Sequence, residues 1–320
     1  MSSISAFISS NVQLIDSTLI LNGGLRYSSF SLDARYKRSD PFDWPETFYT
    51  GISNSNDAFN GALGLTFQKS KWLWRAQIAS AFRNPNIDDF VKIRIKRNDA
   101  TVPNIELTSE TAFNIESTIA YYFDQAKKNN ISITAFRSSL KDAIIRTDFQ
   151  LPNGADTINI DGEVFNVEAN VNAESGFIYG VSTNLKWHWN NFKFRGSFNY
   201  TKGRTKDEQG ALSPLAHIPP VYGQLSLAYQ TDRFQIQLLN RFNGSKPLDQ
   251  YGGSADNPDF ATPQGAPAWN TFNIYSNFAV SEKFTVNLGV ENIFDTHYRT
   301  FSSGISASGI NFLIGLRGSI

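Results

Sequence analysis

Apolar and polar residues alternate with a period of two in segment after segment, the mark of extended strands with one dry and one wet face. Toward the C-terminus Ile310, Phe312, Ile314, Leu316 and Ile320 share one face, with Asn311, Gly315, Arg317 and Ser319 on the other. Phe284, Val286, Leu288 and Val290 oppose Thr285, Asn287, Gly289 and Glu291, and Phe272, Ile274, Phe278 and Val280 oppose Thr271, Asn273, Tyr275 and Asn277. Val221, Leu225, Leu227 and Tyr229 stand against Tyr222, Gln224, Ser226 and Gln230. Mid-chain, Phe113, Ile115, Ile119, Tyr121 and Phe123 oppose Asn114, Glu116 and Thr118; near the start, Leu19, Leu21, Leu25 and Tyr27 oppose Asn22, Arg26 and Ser28. About thirteen segments fit the period-two template, and no stretch has a convincing amphipathic helical period.

Alternation alone does not say which face meets water. A soluble sandwich turns its dry face inward, whereas an outer-membrane barrel turns it toward lipid. Connection lengths separate the two. Short connections near Asp16-Ser17, Lys69 to Lys71, Gln125 to Asn130, Asn190-Asn191, Thr231 to Arg233 and Ser281 to Lys283 alternate with long ones. The long ones run roughly over Tyr36 to Asn56, Asn84 to Leu107, Gln150 to Glu163, Gly203 to Pro219, Asn243 to Pro267 and Asp295 to Ser308. Sorting by parity is what an up-and-down barrel with tight turns at one end and loops at the other produces. Rings flank the short turns: Phe67 and Trp72, Tyr121 to Phe123, Trp187 and Trp189 with Phe192 and Phe194, Tyr229 and Phe234, and Phe284. This predicts an aromatic belt at one membrane interface, although rings beside hairpin turns also staple cross-strand pairs. With short turns periplasmic, the last strand ends at the periplasmic side and the first begins on the loop side, so the strand number is odd where a complete bacterial barrel has an even number, and the chain reads as the C-terminal part of a longer barrel.

The composition narrows the choice. Among 320 residues, 29 Lys and Arg balance 29 Asp and Glu, so nothing resembles a basic footprint for nucleic acid. Zero Cys excludes disulfides, thiol nucleophiles and thiolate metal sites. Twenty-six Phe, 12 Tyr and 6 Trp coexist with a mean hydropathy of -0.31, so the rings either fill a large soluble core or face something other than water. No apolar run approaches the roughly 18 residues of a spanning helix. Met1 to Ser10 lacks the basic and apolar regions of a secretory signal, so the chain is expected to be cytoplasmic or to lack its true N-terminus.

Particular stretches then resemble successive parts of a TonB-dependent outer-membrane receptor barrel: GLRYSSF (Gly24 to Phe30), FNGALGLTF (Phe59 to Phe67), ASAFRNPNIDDF (Ala79 to Phe90) and ELTSETAFNIE (Glu106 to Glu116). AHIPPVYGQLSLAY (Ala216 to Tyr229), GVENIFDTHYRT and the final GINFLIGLRGSI continue the series in the family's order. The FRNPN and ENIFD stretches are the most specific. The resemblance implies an all-β antiparallel transmembrane barrel of about 22 strands filled by an N-terminal plug. Residues 1–320 would be its C-terminal portion, about thirteen strands, without signal, TonB box, plug and roughly nine strands. Many relatives end in an aromatic residue, where this chain ends in Ile320.

Candidate chemistry is sparse. His188, His217 and His297 are far apart and have no partner at metal-ligand spacing. Asp88-Asp89 reads as a turn after FRNPN rather than as a carboxylate pair, because adjacent side chains on an extended chain point apart. Tyr251-Gly252-Gly253-Ser254 lacks the Lys and helix of a phosphate loop, and Ser302-Ser303-Gly304 lacks a nucleophile elbow. No catalytic, cofactor-binding or metal-ligating set emerges, and an enzyme is not expected. Lys92 to Arg97, KIRIKR, is either a solvated loop hairpin or a cationic lip for anionic ligands or lipopolysaccharide phosphates. Loop aromatics Phe42, Trp44, Phe48, Tyr49, Tyr251 and Trp269 could stack on a ligand or pack the loops together. Candidate ligand contacts are therefore Trp44, Tyr49, Lys92, Arg94, Tyr251 and Trp269. Arg26, Arg75, Gln77, Arg83, Glu116, Arg195, Gln237 and Arg241 are expected to face a plug or lumen water.

The expected function is active uptake of a scarce solute (siderophore-iron, vitamin B12 or a glycan) across the bacterial outer membrane. The partners implied are membrane lipid and lipopolysaccharide, the protein's own plug, the TonB complex and a small-molecule ligand, with no nucleic acid. The competing readings are a soluble or surface β-protein that binds carbohydrate, and a truncated fragment without function.

Overall fold

The computed structural model describes residues 2–16, 18–34, 49–160, 162–206 and 210–318. Thirteen strands form the wall in chain order: β1 (Ser2–Leu14), β2 (Leu19–Ala34), β3 (Ile52–Lys69), β4 (Trp72–Arg83), β7 (Glu110–Tyr122), β8 (Asn130–Asp148), β10 (Glu163–Trp189), β11 (Phe192–Lys206), β13 (Tyr222–Gln230), β14 (Phe234–Asn243), β15 (Trp269–Ser281), β16 (Phe284–Glu291) and β17 (Asn311–Gly318). Each pairs antiparallel with the next. Four short strands, β5 (Arg94–Lys96), β6 (Asp99–Val102), β9 (Thr157–Ile160) and β12 (Leu212–Pro214), and the one-turn helix α1 (Ile87–Val91) belong to the long loops.

The tight turns have local causes. Ser70 (φ 52°) and Asn190 (φ 50°) adopt the left-handed backbone at the two-residue connections β3–β4 and β10–β11. Such hairpins require it because their twist then matches that of the flanking strands, and Asn tolerates it best after Gly. Trp189 and Phe192 consequently face each other across the β10–β11 turn.

Register assigns the faces. One continuous row runs Leu14, Leu19, Phe67, Trp74, Ile119, Ile133, all on one side of the sheet. The apolar sets read from the sequence lie on this side, with Ile119 51% and Ile314 80% exposed. The opposite side carries Arg75 level with Thr118, Gln77 level with Glu116, Arg195 level with Ser226 and Arg241 level with Gln224. Apolar-out and polar-in is the arrangement of a membrane barrel, not of a sandwich. Rings at the short turns pack in two runs, Trp72 to Tyr121 at 4.8 Å between ring centroids, Tyr121 to Phe123 at 5.4 Å and Phe123 to Trp187 at 5.0 Å, then Trp189 to Phe192 at 6.1 Å and Phe192 to Tyr229 at 5.1 Å.

Among the described residues no pairing joins β17 back to β1, so the sheet is open, with an unpaired edge at each end. The buried apolar clusters sit at the loop end, where loop residues pack on the ends of the wall strands β2 and β10. Phe30, Leu32, Phe90 and Leu107 form one, and Val102, Leu151, Val167 and Ala169 a second.

Candidate functional site

FRNPN and ELTSET meet at the loop end of the wall. Arg83, the last residue of β4, donates from Nε to Glu110 at 2.8 Å and from Nη1 to Asp89 at 2.7 Å, while Glu110 also accepts from the Ile144 N–H at 2.9 Å. Asn86 caps α1 by accepting from the Asp88 and Asp89 N–H groups, and Asp89 accepts in return from the Asn86 N–H. The reciprocal box satisfies donors that a helix start leaves orphaned. Asp88-Asp89 thus opens one helical turn instead of a plain turn, because Asn86 and Asp89 stand three residues apart. Arg83, expected to face plug or water, is committed to its own wall.

ENIFD organises the last long loop. Asn292 donates to the Thr296 and Ser308 carbonyls at 2.9 and 3.2 Å and accepts from the Thr296 N–H, while its own N–H donates to Asn273 on β15. Asp295 accepts from the Ile310 N–H at 2.9 Å, which closes the loop base. The loop before β15 is held by Asp256, 1% exposed, which accepts from the N–H groups of Gly252 and His217, both at 2.7 Å. Lys246, 5% exposed, lies 4.1 Å from the Phe301 ring centroid, and Tyr251 packs edge-on to Phe301 at 5.1 Å. Burial lowers the Lys246 pKa below its ordinary value, with Asp256 opposing; burial, then Asp256, raises that of Tyr251.

Between these two loops lies a pocket of about 230 Å³ lined by Tyr251, Phe260, Trp269, His297, Tyr298 and Arg299, among others. Trp269 and Tyr298 pack at 4.3 Å, and the buried Trp269 Nε1–H has no hydrogen-bond acceptor among the described residues. Arg299 lies 5.8 Å from the Phe260 ring centroid and donates to the Phe260 carbonyl at 2.7 Å. The β5–β6 hairpin reaches this cluster: Arg97 pairs with Asp259 and lies 5.6 Å from the Phe260 ring, and Lys96 donates to Asn257 at 2.8 Å. KIRIKR supplies the first strand of the β5–β6 hairpin, and its last two cations tie that hairpin to the neighbouring loop.

Of the sequence candidates, Tyr251 and Trp269 come together in the pocket. Tyr49 packs on the Val102 cluster beside Ile93, Lys92 is half-buried just after α1, and Arg94 is exposed on β5; none of the three lines the pocket. Trp44 lies outside the described residues. Phe260, Tyr298 and Arg299 were not anticipated, although aromatic and basic residues interleave in HYRTF (His297 to Phe301). Among the described residues no group of three or more His, Asp or Glu is placed to hold a metal ion.

Residues 1–293 match the family model described as TonB dependent receptor-like, beta-barrel. The chain belongs to the TonB-dependent receptor family. It is 24% identical over 249 residues to the iron-regulated outer membrane virulence protein of Vibrio cholerae serotype O1, covering 77% of this chain and 37% of that protein. It is 23% identical over 319 residues to the probable TonB-dependent siderophore receptor PirA of Acinetobacter baumannii, covering 94% and 40%. Among solved structures it superposes on the copper transporter OprC with a TM-score of 0.74 at 16% identity, covering 99% of this chain and 49% of that one. It also superposes on the FrpB iron transporter of Neisseria meningitidis (F5-1 variant) with a TM-score of 0.70 at 17% identity, covering 99% and 45%. The chain thus spans less than half the length of these relatives. Family membership places this receptor barrel in the bacterial outer membrane, with the apolar face toward lipid, and members of the family act as receptors and transporters.

Proposed function

We propose that the thirteen strands are the C-terminal part of a barrel of about 22 strands that, with a plug and the TonB complex, takes up a ferric chelate of the siderophore or haem class. The open edges of β1 and β17 suit roughly nine further strands, and the curated relatives with iron- and siderophore-related names favour iron over vitamin B12 or glycan. The observation that carries the ligand class is the pocket of about 230 Å³, where aromatic faces, the Arg299 guanidinium and the unsatisfied Trp269 N–H converge. Rings stack on planar chelating groups, the cation complements an anionic chelate, and an acceptor on the ligand satisfies the indole donor. Loop capture would precede TonB-driven movement of the plug, which opens a path along the polar lumen.

The test is iron-limited growth on a panel of ferric chelates, with cobalamin and oligosaccharide arms, together with quenching of tryptophan fluorescence by each ligand in detergent. Binding and growth on one ferric chelate, weakened about tenfold by Arg299→Gln, is the expected result. Uptake confined to cobalamin or oligosaccharide overturns the assignment.

A further inference from the structure

We propose that the outward wall over β8, β10 and β11 binds the phosphorylated head of an outer-leaflet glycolipid, lipopolysaccharide, through Arg137, Lys141, Lys202 and Arg204. This rests on membrane location and sheet register, not on the solute assigned above.

Register puts all four cations on the lipid-facing side. Arg137 is level with Ile115 on β7 and Tyr179 on β10; Tyr179 is level with Lys202 on β11, and Phe177 with Arg204. Lys141 is level with Thr111 and Ser175. Phe177 and Tyr179 stack at 6.2 Å, and the Arg137 guanidinium lies 5.4 Å from the Phe177 centroid, as expected of side chains sharing one face. Arg137 and Lys141 are both exposed.

Height decides what they meet. On β10, Tyr179 lies eight residues from Trp187 of the lower belt, about 26 Å along a strand at roughly 3.3 Å per residue. A tilt of about 40° reduces this to roughly 20 Å of height, and Phe177 adds about 5 Å, which together span the apolar band of about 25 Å. Phe177, Tyr179 and Tyr200 thus form an upper aromatic row, with the cations at and above it, where lipid phosphates lie. A cation near the interface costs about 0–1 kcal/mol against about 2–4 kcal/mol at the midplane, and Arg engages phosphate in bidentate fashion.

The patch is local. At the corresponding end of β2 and β3 the outward positions include Asp33, and Asp57 level with Ser29. The ion pairs found among the described residues, Arg83–Asp89, Arg83–Glu110, Arg97–Asp259 and His217–Asp256, involve none of the four cations.

The test uses protein purified from outer membranes in mild detergent, with retained lipid read by native mass spectrometry. Bisphosphorylated lipid A, the same glycolipid dephosphorylated, and inorganic phosphate are then added back separately. The variant R137Q/K141Q/K202Q/R204Q should retain at least tenfold less bisphosphorylated lipid while keeping its heat-modifiable mobility; R137Q/R204Q serves if the quadruple variant does not fold. K186Q/R195Q, which removes two lumen-facing cations from β10 and β11, should retain lipid like the parent. Equal retention by parent and folded variant, equal binding of the dephosphorylated lipid, or displacement by millimolar inorganic phosphate overturns the proposal.

Discussion

Gly180→Ala puts one methyl group on the lumen face of β10 where the sheet has no room for it. A Cβ built there collides with the Tyr200 carbonyl oxygen of β11 and stands 2.8 Å from Cε1 of Phe136 on β8. Carbon pairs prefer about 3.5–4.0 Å, so the ring must withdraw by roughly 0.7 Å. The carbonyl has less freedom, because β10 and β11 pair continuously from Ser175–Lys206 to Trp189–Phe192. Overpacking of this kind costs about 1–3 kcal/mol, and losing glycine's freedom in the unfolded chain returns about 0.4–1 kcal/mol. A net loss of about 1.3 kcal/mol, with a slope of roughly 2 kcal/mol per molar, lowers the urea midpoint by about 0.7 M. The midpoint is read from the heat-modifiable band in detergent. Gly23→Ala is the internal comparison: its Cβ finds ordinary contacts at 3.5 Å to the Ala62 oxygen and Leu63 Cδ1, so it should be neutral or stabilising by up to about 0.5 kcal/mol. Adding Phe136→Leu to Gly180→Ala should recover the share due to the ring and leave that due to the carbonyl. Equal midpoints for the Gly180 and Gly23 variants would refute the steric argument.

Three further outcomes follow from the faces and the loop chemistry. Leu225→Arg, on the lipid side of β13 and about 10 Å of height above the Tyr229 belt, should cost about 2–4 kcal/mol, whereas Gln224→Arg on the lumen side of the same strand should cost less than about 1 kcal/mol; folded yield in micelles distinguishes them. Arg83→Gln leaves Asp89 and Glu110, 15% and 22% exposed, without their shared cation. Because Arg83 is itself 41% exposed, a discounted loss of about 1–2 kcal/mol is expected, seen as roughly tenfold faster proteolysis between Asn84 and Val102. Burial, then the Asp99 and Asp148 carboxylates, raises the Glu168 pKa in the extramembrane extension of β10, against the pull of Arg146 and Lys96. An acid with a raised folded-state pKa weakens folding once pH climbs past its unfolded value of 4.5. Glu168→Gln should therefore protect the β5–β6 hairpin from protease at pH 7 and change little at pH 4.

The strands and their dry faces were legible because period-two alternation is written into each strand separately. Phe284 to Val290 and Ile310 to Leu316 name their outward rows without reference to any neighbour. The parity of connections was legible for a similar reason: turn length is a local property, and Asn190-Asn191 reads as a hairpin in isolation. α1 escaped because five residues are too few to show a helical period; only the spacing of Asn86 and Asp89 announced it. At the candidate site, Tyr251 and Trp269 stood out as loop aromatics, but their partners Tyr298 and Arg299 lie on the other side of strands β15 and β16. Nothing local told Tyr49, which packs into a loop cluster, from Trp269, which lines a pocket.

The sequence by itself determined that the wall is a run of antiparallel strands with one lipid-compatible face, because alternation and turn chemistry act within a few residues. Which residues become neighbours across that wall was decided by register, a property of pairs of strands. Arg137 lies roughly 65 residues from Lys202 and Arg204 along the chain, and only the pairing of β8 with β10 and of β10 with β11 gathers them around Phe177 and Tyr179. The same holds at the loop end, where Arg97 meets Asp259 and Phe260 because the hairpin folds onto the loop before β15. A shift of one residue in any of those pairings would turn the cations inward, which is why their chemistry becomes visible only in the assembled sheet.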